Sequence, residues 1–298
     1  MSMWRTHLVG TLRALRKQRL FGFINVFGLA VGLACAFLIT LYVRHELSYD
    51  RHYAYADRLY RITTELQLAG DYTHYARASA VVGQAIQEAD PNVEATARLW
   101  PSDPVVGVGA ERFFEERFYY ADPSVFRVFS VPFVTGDPAR ALTAPGQVVL
   151  TAGAARRYFG EADALGQTVR VGADGEPFEV VGVVADVPEA SHVHYDVLAS
   201  MGSFLPEEPM GPGAWVSQIN YLSYVLLRPG ARPEAAEARA EALVEQTLGD
   251  LERQFNAEYT LHLQPVTEIH LHSDLTAEAE PGGDAPYVYV FGSVALMV

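Results

Sequence analysis

The chain has 298 residues, 22 of them basic and 36 acidic, for a formal net charge of −14. Arg5, Arg13, Arg16, Lys17 and Arg19 supply five of the bases, so residues 20–298 set 17 bases against 36 acids, a net of −19. That balance excludes a nucleic-acid binder, which needs clustered Lys and Arg, and disfavours close docking of the bulk of the chain on anionic lipid. The single cysteine, Cys35, excludes an intrachain disulfide and a Cys-based metal site.

Residues 1–19 read as a cytoplasmic amphipathic helix, with Trp4, Leu8, Leu12 and Leu15 at helical spacing and the cations on other faces. Residues 20–43 carry no charged side chain. A helix of that length rises roughly 36 Å, enough to cross a hydrocarbon core of about 30 Å. The run is too long for a secretory signal, and apolar residues continue past Ala34-Cys35, which argues against lipoprotein processing. A retained transmembrane helix follows. The five bases before it predict a cytoplasmic N-terminus and a main domain outside the cytoplasm. Inside the span, Gly28 and Gly32 form a GxxxG extended by Ala36, a pattern that lets a second helix approach closely. Asn25, strongly polar in an apolar run, is expected to hydrogen-bond within a helix bundle.

Beyond the span, Arg44–Arg51 is expected to continue as helix, since no Gly or Pro intervenes before Gly70. Leu59–Leu66 alternates and is rich in β-formers, predicting a strand; residues 77–89 predict a helix, and Val93–Trp100 a second strand. A similar unit recurs later. Tyr221–Leu227 reads as a strand, Arg228-Pro229-Gly230 as a turn, Pro233–Leu248 as a helix with Pro in its first turn, and Tyr259–Leu263 as a strand. Two β-α-β units thus bracket residues 104–190, a stretch dense in aromatics such as Phe113, Phe118, Phe126 and Phe133. There Val148–Thr151 predicts a strand, Ala152–Phe159 a helix stopped at Gly160, and residues 167–184 a hairpin turning at Ala173-Asp174-Gly175. This middle piece is expected to be mainly β, with its own core. Residues 287–298 are apolar to the last, too short to span a bilayer, and read as the start of a second transmembrane helix at which the record stops.

Three stretches, in this order, carry a family resemblance. Asn25–Ala34 with His45-Glu46-Leu47-Ser48-Tyr49-Asp50-Arg51 is the first. Tyr158-Phe159-Gly160, Leu165–Thr168, Val180–Pro188 and Ser191-His192 form the second. Ile269-His270-Leu271-His272-Ser273 through Tyr287–Phe291 is the third. Together they resemble the permease subunits of MacB/FtsX-type ABC transporters, over essentially the whole chain. The resemblance implies an α+β protein of the bacterial inner membrane with an extracytoplasmic core domain at 44–286. Two β-α-β porter-like repeats (56–103 and 191–268) flank the inserted β-rich subdomain, and transmembrane helices lie at 20–43 and from 287. It implies a cytoplasmic ABC ATPase subunit as partner, a permease dimer, and a periplasmic adaptor or a lipoprotein or other substrate engaged outside. The competing reading is a transmembrane sensor with an extracytoplasmic ligand-binding domain.

No catalytic, cofactor or metal residue is assigned. No GxxxxGK[ST] loop occurs, so ATP hydrolysis is not expected of this chain. His192-x-His194 and His270-x-His272 have a two-residue spacing that suits metal ligation, but without a third ligand they read as loop histidines. Asp186-x-x-Glu189 and Glu207-Glu208 lie in Pro-containing loop sequence, and Ser130, Ser191 and Ser217 lack a nucleophile context.

Overall fold

A computed structural model of the chain describes residues 19–204 and 213–297. The amphipathic segment expected over 1–19, Arg19 excepted, and the Glu207-Glu208 pair lie outside the described residues. The chain divides into two units, residues 1–48 with 284–298 and residues 49–283.

The first unit begins with α1 (Arg19–Glu46), among the described residues the one helix long and apolar enough to cross a membrane. It stops at Glu46, short of the continuation expected through Arg51. Residues 47–50 turn instead, and Asp50 takes a left-handed φ of 60°. Its N–H is bound by the Ala190 carbonyl at 2.9 Å, a tertiary contact that outweighs local helix preference.

In the second unit the two expected β-α-β units appear, and they interleave. β1 (Leu59–Leu68) leads through the short β2 (Asp71–Tyr75) and α2 (Val82–Ala89) to β3 (Val93–Ser102). Much later β12 (Leu222–Leu227) leads through α6 (Pro233–Phe255) to β13 (Ala257–Pro265). The four strands order as β13-β1-β12-β3, each antiparallel to its neighbour. β1 and β3 flank β12, and β12 and β13 flank β1, so neither unit has a complete sheet without the other.

Helix α2 is shorter than expected. Ala76 N–H bonds the Thr276 carbonyl, and Ala78 exchanges both backbone bonds with Tyr221, which keeps residues 76–78 out of the helix. Helix α6 is longer, passing through Gly249 to a left-handed cap at Asn256. Its buried stripe Ala236, Ala240, Val244 and Leu248 packs with Val82 and Ile86 of α2 on one face of the four strands, against Tyr60, Ile62, Val225, Leu261 and Leu263. β12 is buried on both faces, as a central strand should be.

The middle of the chain extends this sheet. It contributes β4 (Val105–Val108), β5 (Glu111–Phe114), β6 (Phe118–Ala121), the single turn α3 (Val125–Val128), β7 (Phe133–Gly136) and β8 (Gln147–Thr151). Then come α4 (Ala152–Phe159), β9 (Thr168–Val171), β10 (Glu176–Val184), β11 (Val197–Ser200) and the short α5 (Gly213–Val216). The strand order continues β3-β6-β11-β8-β10-β9-β4-β5. β11, beyond residue 190, sits between β6 and β8. Thr151 caps α4 by accepting from the Ala154 N–H, and Gly160 ends it, as expected. One apolar cluster around Phe118, Leu150, Tyr158 and Phe178 belongs to this region, while another joins it to the repeats through Leu59, Leu99, Phe126, Leu198 and Tyr224.

After β13 the short helix α7 (Val266–His272) and residues 273–283 complete this unit. Helix α8 (Ala285–Met297) belongs to the first unit, where it packs on α1 with Tyr42 edge-on to Phe291 at 5.8 Å.

Candidate functional site

In the second unit, a group of buried polar residues gathers where two segments meet its sheet: residues 49–58, which follow α1 in sequence, and residues 273–283, which precede α8. Each is fastened by buried polar groups.

The outgoing segment is held at Asp50, which is fully buried. One carboxylate oxygen, Oδ1, accepts from the His192 backbone N–H at 3.0 Å and faces His192 Nδ1 at 2.8 Å. An ionised carboxylate only accepts, so Nδ1 carries the hydrogen, and Nε2 shares the second bond with the Tyr224 hydroxyl at 2.8 Å. Burial pushes the Tyr224 hydroxyl far above its ordinary pKa, so it stays protonated and can donate. An Asp–His–Tyr chain resembles an acid–base relay. Here His192 is 5% exposed and Tyr224 and Asp50 not at all, so no substrate can reach it and its role is to fix the segment. Tyr53 inserts its ring beside Phe129, and the Ala54 N–H donates to Ser130 Oγ.

The returning segment is held at Arg61, on β1 and without solvent exposure. Its guanidinium forks onto both oxygens of Glu278, and Nη2 also reaches Gln264 Oε1 at 2.6 Å and Ser273 Oγ at 2.9 Å. Burial opposes the charge on Glu278, yet the hydrogen bonds and charge of Arg61 win and hold its pKa below the ordinary value. Such pairs are costly to break by halves, because a stranded charge stays buried. Backbone bonds between Thr276 and both His74 and Ala76 add to the attachment.

Two connectors serve both segments. The loop between β10 and β11 places His192 on Asp50 and His194 on Glu280, with Nδ1 2.7 Å from the carboxylate. On α7, His270 stacks on Tyr49 with centroids 3.3 Å apart, while its carbonyl accepts from the Gly283 N–H at 2.7 Å. Gly282 passes so close that a Cβ there would lie 2.8 Å from the His270 carbonyl oxygen, so only glycine fits. A cavity of about 30 Å³ is lined by Tyr49, His192, His270, Glu278 and Glu280, room for one water.

Of the motifs weighed in the sequence, His192, His194 and His270 join this cluster, each with its own partner, whereas His272 is exposed at the end of α7. Among the described residues no three His, Cys, Asp or Glu side chains gather as a metal site would require. Asp186 accepts from the Gly153 N–H and pairs with Arg156 on the surface. Gly32 and Ala36 lie on the half-buried stripe of α1 with Ile39 and Val43, whereas Gly28 is exposed and a Cβ there would meet nothing within 4 Å. Helix α8, with 13 residues against 28, is too short to cover all of α1. Sequence reasoning missed Arg61, Asp50 and Glu278 as linked groups. The signal for Arg61 was a cation inside a β-forming run; Glu278 gave none.

Residues 23–243 match the family described as the MacB-like periplasmic core domain. Among solved structures, the chain is similar to a domain assigned to a permease protein of Porphyromonas gingivalis, with TM-score 0.64, 23% identity, and 72% of this chain and 92% of that chain covered. It is also similar to the periplasmic region of MacB from Actinobacillus actinomycetemcomitans (TM-score 0.48, 18% identity, 69% and 89% covered). A third is the extracellular domain of a noncanonic ABC-type transporter, YknZ, from Gram-positive bacteria (0.46, 13%, 68% and 99%). A comparison with curated proteins gives no match.

Proposed function

We propose a mechanical role in ATP-driven transport, on the premise that the chain belongs to the MacB-like periplasmic core domain family. Membership makes it a component of an ABC-type transporter permease, a membrane protein with an extracytoplasmic domain, and not a classical enzyme. In the finer reading a separate cytoplasmic ATPase hydrolyses ATP and a permease dimer converts that into motion of the outer unit, which engages a periplasmic adaptor or a lipoprotein or other substrate. The N-terminus is cytoplasmic on this reading, and Gly28, Gly32 and Ala36 serve helix packing.

The observation that supports it is the double fastening just described. Both segments continuous with the apolar helices are tied to one sheet by buried, charge-assisted bonds, and two connectors tie them to each other. Buried polar networks of this kind have discrete arrangements and pass displacement on, where a flexible loop would absorb it. The test places the permease in membranes with the ABC ATPase encoded beside it. ATP turnover should depend on the permease and change when the outer unit is locked by an engineered cross-link. Turnover indifferent to the permease would defeat the reading. Reporter fusions after Trp4 and after Gly70 should report cytoplasmic and external positions respectively.

A further inference from the structure

His194 lies between two groups that can only accept hydrogen bonds. Its Nδ1 is 2.7 Å from Glu280 Oε1 and its Nε2 is 3.1 Å from the Pro188 carbonyl oxygen. For both bonds to exist both ring nitrogens must carry hydrogen, and an imidazole with two N–H groups is a cation. The neighbouring His192 differs, because the Tyr224 hydroxyl opposite its Nε2 can donate. Glu280 Oε1 also accepts from the His194 backbone N–H at 3.1 Å, so the carboxylate is seated on this one residue twice.

We infer that His194 is a proton-operated fastener: protonated, it ties the β10–β11 loop to the returning segment, and on losing its proton it releases one of the two acceptors and loosens residues 276–283. The charged and titratable groups that act on it are Glu280 on the returning segment, Arg117 before β6 and His52 on the outgoing segment; His192, two residues earlier on its own loop, is engaged by Asp50, and Tyr119 stands beside Glu280. The hydrogen bond that His194 donates to Glu280 raises its pKa most strongly. Burial and Arg117 oppose it, and the balance is upward from 6.5. A folded-state pKa raised in this way gives stabilisation that is full below about 6.5 and is lost as pH rises through the higher folded value. An extracytoplasmic domain meets the external pH directly, so the fastening of the returning segment follows that pH. The consequence for transport rests on the coupling reading above; the fastener itself does not.

The test uses the whole chain in micelles with its nine histidines carrying ¹³C-labelled rings, the His194 signal being identified by its loss in His194→Gln. In the parent the His194 midpoint should lie above 6.5. In Glu280→Gln, where burial and Arg117 are left to act, it should fall to 6.5 or below, and Glu280→Asp should restore it. Amide exchange over residues 276–283, corrected for its intrinsic pH dependence, should show an opening equilibrium that grows across the same interval. The growth should be about tenfold per pH unit of the His194 shift, and absent in His194→Gln. A parent midpoint at or below 6.5, a midpoint indifferent to Glu280→Gln, or opening that ignores pH in the parent would each overturn the proposal. The parent titration decides even if a variant misfolds. Because no ATPase is present, failure of the coupling reading leaves this result standing, and the reverse also holds.

Discussion

Among the described residues Arg61 is the largest fully buried side chain. Its guanidinium is sealed beneath residues 273–278, and its planar fork serves three partners at once. A lysine has neither the fork nor the reach for all three. Arg61→Met would strand the Glu278 carboxylate and should destabilise the unit by about 3–5 kcal/mol, whereas Arg61→Met with Glu278→Met should recover most of that loss. Denaturant midpoints of the two variants at neutral pH check this; equal losses would mean that the pair is not what the site depends on. Acid gives a second readout. With its folded pKa lowered from 4.5, Glu278 contributes stability above about that value and loses it as pH falls through the lower one, a loss the double variant should not show. Little of this was legible beforehand. β1 is buried through Arg61 and Thr63 as well as Tyr60 and Ile62, so alternation marks no polar face, and the partner lies 217 residues away. Asp50 and His192 stood within the stretches that carry the resemblance, but a single sequence does not show that they touch.

At the scale of elements, strands carrying a sustained run of β-forming residues were readable to within two residues, as β1, β3, β12 and β13 illustrate. What escaped were short strands such as β11, four residues buried on both sides, whose pattern is that of any apolar tetrapeptide. Helix limits failed where distant backbone intervened. Residues 76–78 are drawn into pairing with Thr276 and Tyr221, and the turn at residues 47–50 is set by the Asp50 anchor. Helix α6 fails in the opposite sense, since Gly249 lies inside it rather than ending it. A Cβ at Gly249 would first meet the end of the Glu245 side chain, at 2.7 Å, and that flexible, exposed carboxylate can swing away. Its exposed pair with Arg253 is a small loss. Gly249→Ala should therefore stabilise the unit by about 0.5–1 kcal/mol through helix propensity. A thermal melt that moves downward would show that the backbone there needs glycine for packing.

At the scale of the whole molecule, interleaving matters more than the number of strands. β1 lies between β12 and β13, and β12 between β1 and β3, so the two repeats cannot separate without breaking central strand pairs. The segments continuous with the apolar helices are pinned to these same strands: Asp50 through His192 to Tyr224 on β12, and Glu278 to Arg61 on β1. Tyr224 and Arg61 are partners across the β1–β12 ladder, so both pins converge on neighbouring residues. If the outer unit transmits force, this is where the path is narrowest. Loosening the pins without unfolding the unit should then uncouple hydrolysis from transport. The variant Arg61→Met/Glu278→Met with His194→Gln removes the ion pairs at Glu278 and Glu280 while keeping apolar volume over β1. In membranes with the partner ATPase, ATP turnover should stay within about twofold of the parent while substrate movement falls by about tenfold, a coupling loss of ordinary allosteric size. The two rates measured in the same vesicles decide the matter. Both unchanged would mean that force does not pass through these pins. Both falling together, alongside a lowered melting temperature, would mean that the variant reports lost structure and that the pins serve stability alone.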